Sequence, residues 1–163
     1  MAQAPEIGQV APDFTLPGIQ LTGSEVSQSE YTLSQHSGQP LVLAFYPGDN
    51  TAVCTRQLCS YTSGLESFTG FGATVWAISP QGLASHEGFA RKYGLKFPLL
   101  ADEDLAVARR YGITLAGVGL RRSVFVVDAS GVLRWKHVTL VGLTFPAAET
   151  ISAQLAALNS VEV

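Results

Sequence analysis

Six consecutive apolar residues, Leu41-Val42-Leu43-Ala44-Phe45-Tyr46, restrict the architecture of this 163-residue chain more than any other segment. A strand with one wet face alternates apolar and polar side chains, whereas a strand covered on both faces does not. Such a run belongs to a central, mostly parallel strand, and parallel neighbours need helical crossovers. The rest of the sequence supplies them. A helix is expected from about Thr51 to Thr69, then a strand at "ATVWAIS" (73–79). In "LASHEGFARKYG" (83–94), Leu83, His86, Phe89 or Ala90, and Tyr93 recur at helical spacing, and Gly94 supplies the stop.

Upstream, "PDFTLPG" and "SEVSQ" predict a short hairpin. Downstream, "KFPLLAD" reads as a short extended piece, which Pro98 assigns to a sheet edge. "DEDLAVARRYG" is a short helix with acids in its first turn and Gly112 after its last. "SVFVVDASGVLRWKHV" is the strongest hairpin signal, around Asp128 to Gly131. "FPAAETISAQLAALNS" sets Pro146 near a helix start, with Ile151, Leu155 and Leu158 on one face. Alternating strands and helices followed by a hairpin and a closing helix predict an α/β protein of the thioredoxin type: a central mixed sheet flanked by helices on both faces.

The length suits one domain over 1–163, able to bury roughly 70% of the surface its unfolded form exposes. With 47% hydrophobic and 14% charged residues, the chain is neither disordered nor fibrous. No apolar run approaches the ~20 residues of a membrane span, and "MAQAPEIGQVAPDF" lacks the features of a secretory signal. A soluble, cytoplasmic protein is expected. The net charge of −3, with basic residues scattered singly or in pairs, offers no stripe for a phosphate backbone. Nucleic acid is therefore not an expected partner, and without a large apolar stripe a monomer is the default.

Both cysteines lie in "YPGDNTAVCTRQLC" (46–59), just past the central strand, where functional groups gather in such sheets. With Thr51 as N-cap, Cys54 falls in the first helical turn, among N–H groups without intrahelical acceptors. Such a place favours a thiolate. Cys59 stands five residues on, which in an ideal helix separates the Cα atoms by roughly 8.6 Å, beyond the ~6.8 Å limit of a disulfide. A bridge between them requires the first turns to unwind, so the spacing reads as a redox switch, set against the plainer reading of two small core residues. Structural disulfides are rare where thiols are kept reduced, so any bridge should be transient. No zinc pattern is present, and His36, His86 and His137 read as surface or partly buried side chains. Asp49, close before Thr51, reads as an acid opposing the thiolate. Gln57 reads as solvated surface.

The segment resembles the peroxiredoxin motif, proline, three residues, threonine, two residues, cysteine, as Pro47, Thr51 and Cys54. With "CTRQLC" it is similar to the Q-type peroxiredoxins, also called bacterioferritin comigratory proteins. The likeness extends through "VAPDFTLPG", "WAISP", "FPLLADEDLAVARRYG" and "RRSVFVVDASGVLR". The resemblance implies a thiol-dependent peroxidase acting on hydrogen peroxide and organic hydroperoxides. Cys54 would be the peroxidatic thiolate, Cys59 the resolving thiol, Thr51 and Arg122 polar partners of sulfur and peroxide, and Pro47 a wall of the pocket. Thioredoxin or a similar dithiol would restore the thiols, with no separate cofactor and no metal. Arg122 rather than Arg121 is selected because the family's arginine lies three residues before a strand phenylalanine, here Phe125. The chain departs from the family in having Ala52-Val53 where Pro-Gly is common.

Overall fold

The computed structural model describes residues 4–36, 38–115, 119–139 and 144–161. The apolar run forms β3 (Leu41–Phe45), every residue of it buried. β3 pairs in parallel with β4 (Thr74–Ser79) and antiparallel with β8 (Ser123–Val127). Its side chains divide by parity, as a pleated strand requires. Leu41, Leu43 and Phe45 enter one apolar layer, and Val42 and Ala44 enter the other.

The amino-terminal hairpin is longer than the sequence suggested: β1 (Thr15–Thr22) and β2 (Glu25–Thr32) pair over eight residues each. The second hairpin joins β8 to β9 (Leu133–Val138). β5 (Leu99–Ala101) completes a seven-stranded mixed sheet in the order β2-β1-β5-β4-β3-β8-β9. The edge position expected from Pro98 is corrected, because β5 lies between β1 and β4. Pro98 stops just short of the strand and offers only its carbonyl, which accepts from the Ala77 N–H at 3.0 Å, so the missing donor is never required. The two short strands β6 (Thr114–Leu115) and β7 (Gly119–Leu120) form a separate ladder that no sequence pattern announced.

The expected helix over 51–69 is two helices, α1 (Ala52–Ser63) and α2 (Leu65–Thr69), parted at Gly64. A Cβ on Gly64 would lie 2.9 Å from that of Ala148, so the junction must be a glycine for α5 (Ala148–Val161) to pack against it. α3 (Leu83–Tyr93) ends where expected, with Gly94 left-handed at φ 62°. α4 (Ala106–Arg110) takes its amino-terminal hydrogen bonds from Asp102, whose two carboxylate oxygens accept from the Val107 and Ala108 N–H groups. Side chains of α1, α2, α3 and α5 cover one face of the sheet, and those of α4 with Phe14, Tyr111 and Ile113 cover the other. On the rim beyond β9, the segment before Phe14 is tied to the chain by hydrogen bonds from Gly8 N to Leu133 O and from Leu133 N to Gln9 O, both 2.8 Å.

Candidate active site

β3 delivers the chain to the loop Tyr46–Thr51, and the loop delivers it to α1. Thr51 takes the N-cap position in backbone terms, with φ −89° and ψ 152°, but its hydroxyl does not cap the helix. It turns back and donates to the Gly48 carbonyl at 3.1 Å, which tightens the loop instead. Pro47 is exposed at the mouth of this loop. Cys54 occupies the third position of α1 and is fully buried, while Cys59 is partly buried further along the same unbroken helix. Both are free thiols. Burial pushes the Cys59 thiol above its ordinary value.

Arg122 enters from the residue before β8 and is 2% exposed. Its Nη2 donates to the Cys54 sulfur at 3.2 Å, and its Nη1 donates to Gln57 Oε1 at 2.5 Å. A guanidinium kept from water needs acceptors for its N–H groups, and a thiolate is the strongest that a cysteine can offer. Gln57 was read as solvated surface. It is instead wholly buried, because position 57 lies one turn after Cys54 on the same inward stripe, and its Nε2 donates to the Tyr61 hydroxyl at 3.3 Å, one further turn along. The signal in the sequence was that i, i+3, i+7 spacing of Cys54, Gln57 and Tyr61.

Asp49 and His86 also depart from their sequence readings. Asp49 is buried, and its carboxylate accepts from the Tyr46 hydroxyl at 2.6 Å, the Ser85 hydroxyl at 2.7 Å and His86 Nδ1 at 2.8 Å. Burial opposes its charge, but the hydrogen bond and charge of His86, with Tyr46 and Ser85, outweigh that and hold the carboxyl below its ordinary value. The acid is occupied by α3 rather than facing the sulfur uncompensated. His86 is fully buried, with Nε2 3.0 Å from the Leu100 carbonyl on β5. The pair therefore staples the loop to α3 and β5. His36 is half-buried and His137 exposed, as expected. Among the described residues no His, Cys, Asp or Glu cluster could hold a metal, and no helix is long and apolar enough to cross a membrane.

A thiol buried in the first turn of a helix, bonded to a buried arginine beyond the end of a central strand, defines a thioredoxin-fold protein organised around one sulfur. The AhpC/TSA family model matches residues 7–136. Peroxiredoxin Q, chloroplastic, of Triticum aestivum is 40% identical over 130 residues, which are 78% of this chain and 57% of that protein. A putative peroxiredoxin bcp of Coxiella burnetii is 33% identical over 146 residues, covering 84% of this chain and 92% of the relative. The solved Peroxiredoxin Q of Xanthomonas campestris superposes with a TM-score of 0.73 at 30% identity, over 87% of this chain and 90% of that one. AhpC of Enterococcus faecalis shares the fold, at a TM-score of 0.85 and 23% identity over 97% of this chain and 95% of that one. The chain belongs to the AhpC/TSA family, among the Q-type peroxiredoxins. It spans 56–66% of the length of the plant relatives it matches.

Proposed function

We propose that this chain reduces hydrogen peroxide and organic hydroperoxides through Cys54, with Cys59 as the resolving thiol. The Cys54 thiolate attacks one peroxide oxygen and the O–O bond breaks. The other oxygen leaves with the electron pair and takes a proton, giving water or an alcohol, while Cys54 becomes a sulfenic acid. The Cys59 thiolate then attacks that sulfur, forming the disulfide and releasing hydroxide, which is protonated to water. Thioredoxin or a similar dithiol returns both thiols by exchange, itself becoming oxidised. A transient bridge of this kind works where thiols are kept reduced, so the reading includes a reducing compartment such as the cytoplasm.

The contact from Arg122 to the Cys54 sulfur carries this reading. A cysteine of ordinary pKa is about 3% thiolate at neutral pH, so full ionisation gains only about thirtyfold, or about 2 kcal/mol of barrier. Further acceleration requires groups that strengthen their hold as charge moves onto the leaving oxygen. The Arg122 guanidinium, the N–H groups of the first turn of α1 and the Thr51 hydroxyl fill that role in this proposal, and Pro47 borders the entry. Thr51 acts here by releasing the Gly48 carbonyl and turning toward peroxide. The test is peroxide consumption with thioredoxin supplied. Cys54→Ser should abolish it, and Cys59→Ser should turn over once and hold a sulfenate trapped by dimedone. Wild-type turnover by Cys54→Ser refutes the assignment.

A further inference from the structure

Arg122, Gln57, Tyr61 and Pro146 form a hydrogen-bonded chain with only one possible polarity. A guanidinium can only donate, so the oxygen end of Gln57 faces Arg122. The nitrogen end then faces Tyr61 and can only donate, so the Tyr61 oxygen accepts. The single phenolic hydrogen is left to donate to the Pro146 carbonyl, at 2.6 Å. Burial holds the Tyr61 phenol far above its ordinary value, so that hydrogen stays in place. Gln57 and Tyr61 are fully buried. The Tyr61 ring is pinned edge-on by Phe68 and Phe145, each with centroids 6.1 Å away.

This chain spans the segment that has to unwind. For Cys59 to reach Cys54 the helix must open between them, and Gln57 lies between them. Opening breaks the bonds from Arg122 to Cys54, from Arg122 to Gln57 and from Gln57 to Tyr61, while Tyr61 remains anchored to Pro146 and its aromatic neighbours. We propose that Tyr61 is a positioning residue: a fixed post, outside the reacting groups, whose hydroxyl latches Gln57 and so sets how readily α1 opens for the resolving step. The proposal rests on the peroxidase reading above for its consequence, because a latched helix leaves the Cys54 sulfenate longer in reach of a second peroxide, which would oxidise it to the sulfinic acid. Without the Tyr61 hydroxyl, the Gln57 nitrogen lacks a partner only while the helix is closed, since opening lets it reach water, whereas the Pro146 carbonyl loses its partner in both states and so does not bias the opening.

The test uses Tyr61→Phe in the full chain, with Tyr111→Phe as control. Tyr111 is also buried and donates to a proline carbonyl, Pro12 at 2.8 Å, but on the opposite face of the sheet. A neutral buried hydrogen bond is worth roughly two- to twelvefold in an equilibrium. In Tyr61→Phe, amide hydrogen exchange across residues 54–59 of the reduced protein should accelerate by that factor. Disulfide formation after one equivalent of hydrogen peroxide, followed by rapid quench and mass spectrometry, should accelerate equally. The sulfinic acid formed at a given peroxide excess should fall in proportion, and Tyr111→Phe should match the wild type in all three. Exchange at the wild-type rate in Tyr61→Phe, or equal acceleration in Tyr111→Phe, overturns the latch. If the wild type forms no Cys54–Cys59 bridge, the resolving reading fails, and the exchange measurement alone decides the latch.

Discussion

Replacing His86 by leucine should be among the most damaging single changes outside the cysteine helix. The Asp49 and His86 side chains are both wholly buried and 2.8 Å apart. Removing one partner of a buried pair leaves the other charge uncompensated, at a cost of about 3–5 kcal/mol. The Tyr46 and Ser85 hydroxyls remain on Asp49, which places the expected loss toward the lower end, about 3 kcal/mol. For a domain stable by about 5–15 kcal/mol, the variant should still fold. Asp49→Asn in the same background removes the stranded charge and should recover more than half of the loss, since the two sites are directly coupled. Urea unfolding at neutral pH of the wild type, both single variants and the double variant closes the cycle. Peroxide turnover should fall at least about tenfold in His86→Leu, because the loop carrying Pro47 and Thr51 loses its tie to α3. A loss below about 1 kcal/mol, with additive single changes, would refute an energetic coupling between Asp49 and His86.

Gln57→Leu removes the acceptor that Gln57 Oε1 offers the Arg122 guanidinium in a dry site, and should lower unfolding stability by about 1–3 kcal/mol. It should also cut kcat/KM for peroxide about tenfold, as the arginine loses its aim at the sulfur; an unchanged rate would show that the amide only fills space. Asp128 gives a pH prediction. Burial opposes its charge, but Arg134 at 2.7 Å and the N–H groups of Val132 and Ser130 hold its carboxyl below the ordinary value of 3.8. Its contribution is therefore complete above the unfolded value and lost as pH falls through the lower, folded one. Urea midpoints of wild type and Asp128→Asn should differ at neutral pH and converge only below about pH 3.8. Convergence already at pH 6 would mean that another group titrates.

The fold was legible where periodicity or a turn signal had no rival. LVLAFY could only be a doubly covered strand, Gly94 could only be a stop, and the run around Asp128 could only be a hairpin. The position of β5 was not legible, because Pro98 argues for an edge only if its nitrogen faces a neighbouring strand, and here that neighbour needs its carbonyl. The break at Gly64 depends on Ala148, 84 positions away in the sequence, and no local pattern carries such a contact. In the site, Cys54 and Arg122 were identified from motif and position, and they touch. Gln57 and His86 were misread for a shared reason, that a polar residue is assigned to water until its partner is known, and Asp49 was set against the sulfur because its partners on α3 were not visible in the sequence. The partners Arg122, Ser85 and Leu100 come from distant parts of the chain.

The two rims of the sheet are finished differently. Beyond β9 lies the segment from Ala4 to Ala11, bridged at Val10 and Val132, with the Pro5 carbonyl accepting from the Lys136 ammonium at 2.8 Å. β2 closes the other rim with Glu25 and Glu30 along an exposed strand. A molecule approaching strand to strand meets acids on one flank and, at the start of β9, a Leu133 whose N–H and carbonyl are already bonded to Gln9 and Gly8, and both discourage stacking into fibres. Clipping the chain before Ala11 would free the Leu133 N–H and carbonyl at the start of β9 and turn a guarded corner of the border into a place where another strand can begin to pair.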